Sequence, residues 1–325
     1  MDITDLKPRL MAGERRALAR AITLIESTRP DHRAAARDLI GGLYGQGDAI
    51  RLGLSGTPGV GKSTFIEAFG MMLVERGLKV AVLAVDPSSA RTGGSILGDK
   101  TRMEYLSRHP NAFIRPSPSR AALGGVARRT REAIILCEAA GYDVVMVETV
   151  GVGQSETMVA DMTDLFLLLL APAGGDELQG VKRGIMEIAD LIVVNKADGD
   201  LKPTAIHTAA DYRGALRLMR SRPQDPENIP DALTVSAVEG DGLEETWDRL
   251  SALDDWRRDQ GWRDRRRAEQ SQKWLGFEID EGLKSRFRAN DAVNAAMGAL
   301  QQKVAAGEIT PEAAAEELLA LFTAG

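Results

Sequence analysis

Short apolar segments recur along the chain between residues 50 and 235. They are near-continuous apolar runs, which is typical of strands that helices cover on both faces of a parallel sheet. Helical stretches separate most of them, so the pattern predicts an α/β fold with a mostly parallel sheet wrapped by helices. The seven predicted strands are Ile50–Leu54, Val80–Val85, Ala112–Ile114, Val144–Val147, Leu165–Leu170, Leu191–Val194 and Ala232–Val235.

The segments on either side of these strands are helical in pattern. Near the amino terminus, Leu18, Ile22 and Ile25 recur at helical spacing. A second helix follows Pro30, and we expect it to end at the glycine pair that begins with Gly41.

No strand is predicted after Gly242, and the rest of the chain is polar and helical. Thr310 is the expected N-cap of the last helix, with Pro311 in its first position. These observations divide the chain into a helical extension (1–45), an α/β domain (46–242) and a carboxyl-terminal helical arm (243–325).

Composition excludes several classes of protein. A net charge of −6 gives no electrostatic reason to expect nucleic-acid binding, and one cysteine excludes an internal disulfide. No secretory signal and no apolar run long enough to span a bilayer is visible, so the expected location is the cytoplasm. An arginine-rich stretch, "WRRDQGWRDRRRAEQ" (256–270), is interpreted as a solvated helix face with its own acids nearby.

A phosphate-binding loop follows the first predicted strand. The sequence "GTPGVGKST" matches the pattern G-x-x-x-x-G-K-[ST] between a strand and a helix. Its backbone N–H groups would hold phosphates, Lys62 would reach the outer phosphates, and Ser63 would offer a hydroxyl to Mg²⁺. The predicted binding residues are Gly56, Thr57, Pro58, Gly59, Val60, Gly61, Lys62, Ser63 and Thr64.

Two acids stand at the carboxyl ends of predicted buried strands. Glu148 follows Val144–Val147, and Asp86 follows Val80–Val85. Buried carboxylates are costly without a partner, and ligands of parallel sheets bind beyond these strand ends. Glu148 and Asp86 are therefore predicted to orient Mg²⁺ directly or through its waters, although Asp86 could instead cap a helix. The loop after Glu148 would sense the γ-phosphate.

The base is predicted from "NKAD" at the end of another apolar strand. Asp198 can accept hydrogen bonds from guanine N1–H and the exocyclic amine, whereas adenine presents an acceptor at N1. Lys196 can cover the ring and Asn195 can brace the site. In "TVSAVEG", residues 236–238 (Ser236, Ala237 and Val238) complete the predicted base site, and the nucleotide is taken to be GTP or GDP.

Together with "VDPSSARTGGSILGDKTRM" and "ETVGVGQSE", these motifs resemble those of the MeaB/ArgK group of P-loop GTPases, from about residue 50 to residue 240. The resemblance implies slow GTP hydrolysis that a partner stimulates. It also implies a carboxyl-terminal dimerisation arm and a role as chaperone, protecting an adenosylcobalamin-dependent methylmalonyl-CoA mutase and gating its cofactor loading.

The resemblance also suggests switch segments. Asp86 to Met103 would be the first, with Asp99 a candidate for contacting Mg²⁺ or the attacking water, or else a surface acid. Residues 150–156 would be the second, in which Gln154 either positions water or makes a plain loop contact. Residues 174–184 would be the third, where Lys182 would couple a partner to the catalytic site formed with Lys62 and Glu148.

Three other functions remain open from the residues. A metal-inserting GTPase would need Cys or His clusters, and Cys137 is alone in a predicted helix. A transport-linked kinase would need an acceptor site, and a pure binding module would hold GTP without turnover.

Overall fold

The computed structural model describes residues 3–85, 103–116, 123–149, 155–172, 183–219 and 222–324. Asp86, Asp99, Gln154 and Lys182 lie outside these ranges. The chain forms two compact units, residues 1–267 and residues 268–325. The boundaries proposed from sequence at residues 45 and 242 stay a prediction.

A seven-stranded parallel sheet forms the centre of the first unit, which confirms the predicted fold class. The strand order is β3-β2-β4-β1-β5-β6-β7. Each predicted strand is present within one or two residues of its expected bounds, because the apolar runs are buried on both faces. The strands are β1 (Ile50–Gly56), β2 (Val80–Val85), β3 (Ala112–Arg115), β4 (Val144–Thr149), β5 (Leu165–Leu170), β6 (Leu191–Val194) and β7 (Asp231–Thr234).

Helices cover the described part of the sheet. Helix α4 (Lys62–Glu75) packs on the sheet, and its Phe65 and Phe69 stack with ring centroids 5.1 Å apart, while Trp247 meets Phe69 edge-on. The described α-helices that lie wholly within the first unit are α1 (Ile3–Met11), α2 (Arg15–Glu26), α3 (Pro30–Leu43), α4 (Lys62–Glu75), α5 (Glu104–Arg108), α6 (Leu123–Ala139), α7 (Ser155–Ala160), α8 (Arg183–Ile188), α9 (Lys202–Arg217) and α10 (Leu243–Asp259).

The prediction that the second amino-terminal helix ends at its glycines is wrong. Helix α3 continues through Gly41 to Leu43. Ala36, Leu39 and Leu43 are all buried at helical spacing, so packing along one face outweighs the weak helix propensity of glycine.

The interpretation of residues 256–270 as a solvated face is wrong for its central arginines. Arg257 and Arg263 are 3% and 2% exposed, and Arg267 is mostly buried. Their partners include acids at the amino ends of the strands, far away in sequence. Arg257 Nη2 lies 2.6 Å from Asp190 Oδ1, and Arg267 Nη2 lies 2.7 Å from Asp164 Oδ2.

Helix α11 (Trp262–Ala289) begins in the first unit and continues into the second, which also holds α12 (Asp291–Ala305) and α13 (Pro311–Thr323). Val293, Leu300 and Leu318 form part of the small core of the second unit. The predicted start of the last helix is confirmed, since Thr310 Oγ1 accepts from Ala313 N at 3.2 Å. None of the described helices is long and apolar enough to cross a membrane.

Candidate nucleotide-binding site

The predicted phosphate loop lies at the carboxyl end of the central strand β1. Gly56 ends this strand, and a Cβ there would come within 2.4 Å of the Leu169 carbonyl oxygen on β5. Gly59 and Gly61 both have a φ of +86°, a conformation that favours glycine. Gly61 then precedes Lys62, the first residue of α4. The backbone therefore turns sharply and presents a helix amino terminus, which is suited to an anion.

The Lys62 side chain folds back over this loop. Its Nζ donates to the Gly56 carbonyl oxygen at 2.7 Å. Burial lowers the pKa of Lys62, while the nearby carboxylates of Glu148 and Glu156 oppose that shift. A desolvated cation beside two acids can change partners when an anionic phosphate arrives.

Both acids that act on Lys62 are buried. Glu148 belongs to β4, where it is aligned with Leu54 of β1, and only 3% of it is exposed. Beside it, Thr149 Oγ1 donates to Ser55 Oγ at 3.0 Å. Glu156, in the first turn of α7, is 1% exposed. The sequence placed Glu156 only at the end of the proposed second switch and gave its carboxylate no role of its own.

Asn195 joins the predicted base motif to the phosphate loop. Its Nδ2 donates to the Val60 carbonyl oxygen at 2.9 Å, and its Oδ1 accepts from Ala237 N at 3.2 Å. Lys196 Nζ also reaches the loop, donating to the Gly59 carbonyl oxygen at 2.7 Å. Asn195 and Lys196, which follow β6, thus connect the base motif to the phosphate loop and to the loop at Ala237, which are far apart in sequence.

The carboxylate of Asp198 is fixed from the adjacent loop. Ser236 Oγ donates to Asp198 Oδ2 at 2.6 Å, and Glu239 N donates to Ser236 Oγ at 3.1 Å. Ser236 and Ala237 are buried, whereas Val238 is 80% exposed. One Asp198 oxygen therefore has a protein donor, and the carboxylate is held in a defined orientation.

The structure brings together most of the predicted residues that it describes. In the phosphate loop, Thr57, Pro58 and Thr64 are exposed, Ser63 is half-buried and Val60 is buried. The two predicted motifs and Glu148 share the carboxyl edge of one sheet. Their individual roles stay predictions, as do those of Asp86, Asp99, Gln154 and Lys182 outside the described residues.

The donor set fits magnesium. Within the described ranges, no three His, Cys, Asp or Glu side chains are grouped so that they could hold a metal ion. Magnesium usually takes one or two carboxylates and completes its shell with water and substrate phosphates. Buried Glu148 and the hydroxyl of Ser63 at the start of α4 suit that chemistry.

Proteins of similar sequence are described as GTPases. A family model described as "Methylmalonyl Co-A mutase-associated GTPase MeaB" matches residues 18–292. A "Putative GTPase" of Caulobacter vibrioides is 55% identical over 323 residues, covering 99% of this chain and 98% of the relative. A mitochondrial "Methylmalonic aciduria type A homolog" of Mus musculus is 48% identical over 324 residues, covering 96% of this chain and 78% of the relative.

A solved structure described as "LAO/AO transport system kinase" shares 39% identity and a TM-score of 0.76, covering 99% of this chain and 97% of that one. The family match spans most of the chain, and the relatives match nearly all of it. The chain therefore belongs to the MeaB family of methylmalonyl-CoA mutase-associated P-loop GTPases.

Proposed function

We propose that this protein is a GTP-hydrolysing chaperone that protects an adenosylcobalamin-dependent methylmalonyl-CoA mutase and gates the loading of its cofactor. The observation that carries the nucleotide part is the double contact of Asn195, which ties the base motif to the phosphate loop. One nucleotide can then span both motifs. The description of the family and the name of the mouse relative support the mutase part.

The residues of the site divide the work of binding. The loop amides and Lys62 bind the phosphates, and Asp198 reads the guanine edge. Ser63 and Glu148 hold Mg²⁺, together with Asp86 from outside the described residues. A bound Mg²⁺ would supply positive charge against the negative charge that develops during phosphoryl transfer. Lys62 contributes a second positive charge from the protein.

A P-loop GTPase alone can be slow, and a partner that completes the site accelerates it by about 10³–10⁵-fold in known cases. We propose that the mutase is such a partner here. Gln154, Asp99 and Lys182 are the candidate residues through which it acts, and all three belong to segments outside the described ranges.

The test is phosphate release from GTP by the full chain, alone and with the mutase. We expect slow turnover alone and faster turnover with the mutase. Lys62→Ala removes positive charge from the phosphate site and should abolish turnover in both. Lys196→Ala removes the side chain that is proposed to cover the guanine ring. It should weaken nucleotide binding and leave the turnover rate at saturating GTP unchanged. If adding the mutase leaves the rate of GTP hydrolysis unchanged, the mutase is not the stimulating partner.

Cofactor gating needs its own measurement. Transfer of adenosylcobalamin to cofactor-free mutase is followed by absorbance in the presence of GDP, GTP or a non-hydrolysable GTP analogue. We expect the three nucleotides to give different transfer rates. Equal rates with all three would contradict gating while leaving GTP hydrolysis intact.

A kinase is the second candidate, because a structure that is 39% identical is described as a transport system kinase. The two reactions differ in the phosphate acceptor. With γ-labelled GTP, label released as inorganic phosphate supports hydrolysis, whereas label retained on a protein or amino acid supports a kinase.

We also propose a homodimer. Leu275, Ile279 and Leu283 are 64%, 53% and 51% exposed. They are four residues apart on α11, so they share one helix face. Exposed apolar rows of this kind usually mark an interaction surface. A second copy of the chain is the proposed occupant, as the family resemblance implies.

A further inference from the structure

Helix α7 is a short element that approaches the phosphate site with its first turn. It begins at Ser155, and Glu156 in that turn is buried and interacts electrostatically with Lys62. The helix also follows directly on the segment that carries the "VGVGQ" sequence. A shift of α7 would therefore change the surroundings of the Lys62 ammonium.

The inner side of α7 is seated on the central strand. A Cβ at Gly53 of β1 would lie 2.9 Å from Val159 Cγ1 of α7, 2.8 Å from Thr163 Oγ1 just beyond this helix and 2.8 Å from Phe166 Cδ2 of β5. These distances are shorter than Cβ contacts that folded proteins tolerate. Gly53 therefore allows α7 to lie against β1, the strand that leads into the phosphate loop.

The carboxyl end of α7 is held by a residue of another helix. Arg266 Nη2 donates to the Ala160 carbonyl oxygen at 3.0 Å, and Arg266 Nε donates to the Thr163 carbonyl oxygen at 3.0 Å. The last carbonyls of a helix lack intrahelical donors, and a cation there also favours the helix dipole. A planar guanidinium can satisfy both acceptors at once.

We propose that Arg266 is a positioning residue for GTP hydrolysis. It holds the carboxyl end of α7 so that Glu156 keeps its buried position and its electrostatic interaction with Lys62, and the same contacts transmit a change at the phosphate site to helix α11. The proposal rests on the proposed GTPase activity, but its structural part does not. Because coupling between two sites is reciprocal, a partner that acts on α11 would also alter the phosphate site.

The first experiment compares Arg266→Ala with the wild type as full chains. We expect the rate of a single GTP turnover to fall about tenfold or more, within the usual range of coupling effects. GDP affinity should change by less than about threefold, because Arg266 touches neither predicted nucleotide motif. Arg266→Lys, which keeps the charge but loses the planar fork, should restore part of the rate.

Arg265→Ala is the matched control. Arg265 is the preceding residue on the same helix, is exposed, and lies over the Trp262 ring at 5.4 Å. We expect it to keep the wild-type rate. Gly53→Ala would crowd Val159 of α7 as well as Thr163 and Phe166, and it should reproduce the slow rate. Because both changes act on α7, combining them should lower the rate by less than the product of the single effects.

Amide hydrogen exchange tests the structural part without turnover. In Arg266→Ala, residues 155–163 should exchange faster than in the wild type and in Arg265→Ala. Unchanged exchange there would overturn the proposal, whether or not the protein hydrolyses GTP. A parallel loss of GDP affinity, thermal stability and turnover would also overturn it, since that pattern describes a general structural role. Failure of the wild type to hydrolyse GTP would instead refute the proposed function.

Discussion

The side-chain amide of Asn195 makes hydrogen bonds through both its nitrogen and its oxygen. Its donor holds the phosphate loop at Val60, and its acceptor holds the loop that fixes Asp198 through Ser236. A buried polar group of this kind is costly to break, because each freed partner loses its hydrogen bond. The geometry of the predicted base site and that of the phosphate loop are therefore linked through Asn195, with a second contact from Lys196.

Asp198→Asn should change the preferred base. Guanine presents two donors to the carboxylate, whereas xanthine presents a carbonyl in place of the exocyclic amine. An asparagine amide can donate to that carbonyl. We expect GTP affinity to fall by about 100-fold or more and XTP affinity to rise. Calorimetry with both nucleotides measures the exchange.

Asp200→Asn is the control for that change. Asp200 is exposed in the short turn that follows Asp198, so its replacement should leave both affinities unchanged. Retention of wild-type GTP affinity by Asp198→Asn would show that the carboxylate does not read the base. Equal ATP and GTP affinity in the wild type would contradict the same assignment.

At the scale of elements, the strands were predictable and the ion pairs were not. Each strand is a local apolar run, so its burial can be predicted from consecutive residues. The partners of Arg257 are Asp190, 67 positions away, and Asp225, 32 positions away. A charge pattern within one helix contains no information about such distant partners. Local sequence also explains why Glu148 was assigned a role at the phosphate site and Glu156 was not. Glu148 directly follows an apolar run, whereas the burial of Glu156 depends on contacts that its sequence neighbours do not reveal.

Asp190, at the amino end of β6, should make the stability of the fold depend on pH in the acid range. Burial alone would raise the pKa of Asp190, but Arg257 and Arg222 outweigh it and lower the pKa to about 2, from an ordinary value of 3.8. The unfolded chain therefore takes up a proton before the folded protein does. Stability from this group is complete above about pH 4 and is lost as pH falls towards 2, by about 2 kcal/mol.

Urea unfolding between pH 5 and pH 2.5 measures this effect. Asp190→Asn should be less stable at pH 5, because it removes the charge that faces Arg257. It should also lose stability less steeply on acidification than the wild type. Asp211→Asn, which replaces a carboxylate on the exposed face of α9, should keep the wild-type slope. An identical slope in Asp190→Asn would show that Asp190 does not titrate in this range.

At the scale of the whole molecule, the exposed apolar row of Leu275, Ile279 and Leu283 on α11 predicts the mass of the protein in solution. Ile279→Glu combined with Leu283→Glu places two like charges on the proposed dimer surface. We expect light scattering to give the mass of one chain for this variant and of two chains for the wild type. Charged groups forced into an interface without partners oppose association strongly.

Ile206→Glu provides the matched control. Ile206 is 55% exposed on α9 in the first unit, which is comparable to Ile279. This substitution should leave the mass of the wild type unchanged. A dimer that survives both changes on α11 would mean that the row serves another partner, and a wild-type monomer would refute the homodimer itself.

The arginines at the amino edge of the sheet also bear on how the protein is made. Arg257 bonds Asp190, 67 positions earlier, and Arg267 bonds Asp164, 103 positions earlier. Synthesis from the amino terminus produces these aspartates long before the residues that neutralise them. A nascent chain that has just completed β7 has every strand of the sheet but lacks these arginines. Burying Asp164 and Asp190 at that stage would leave them without these ion pairs. We therefore expect residues 1–267 to reach their final fold only after residue 267 has left the ribosome.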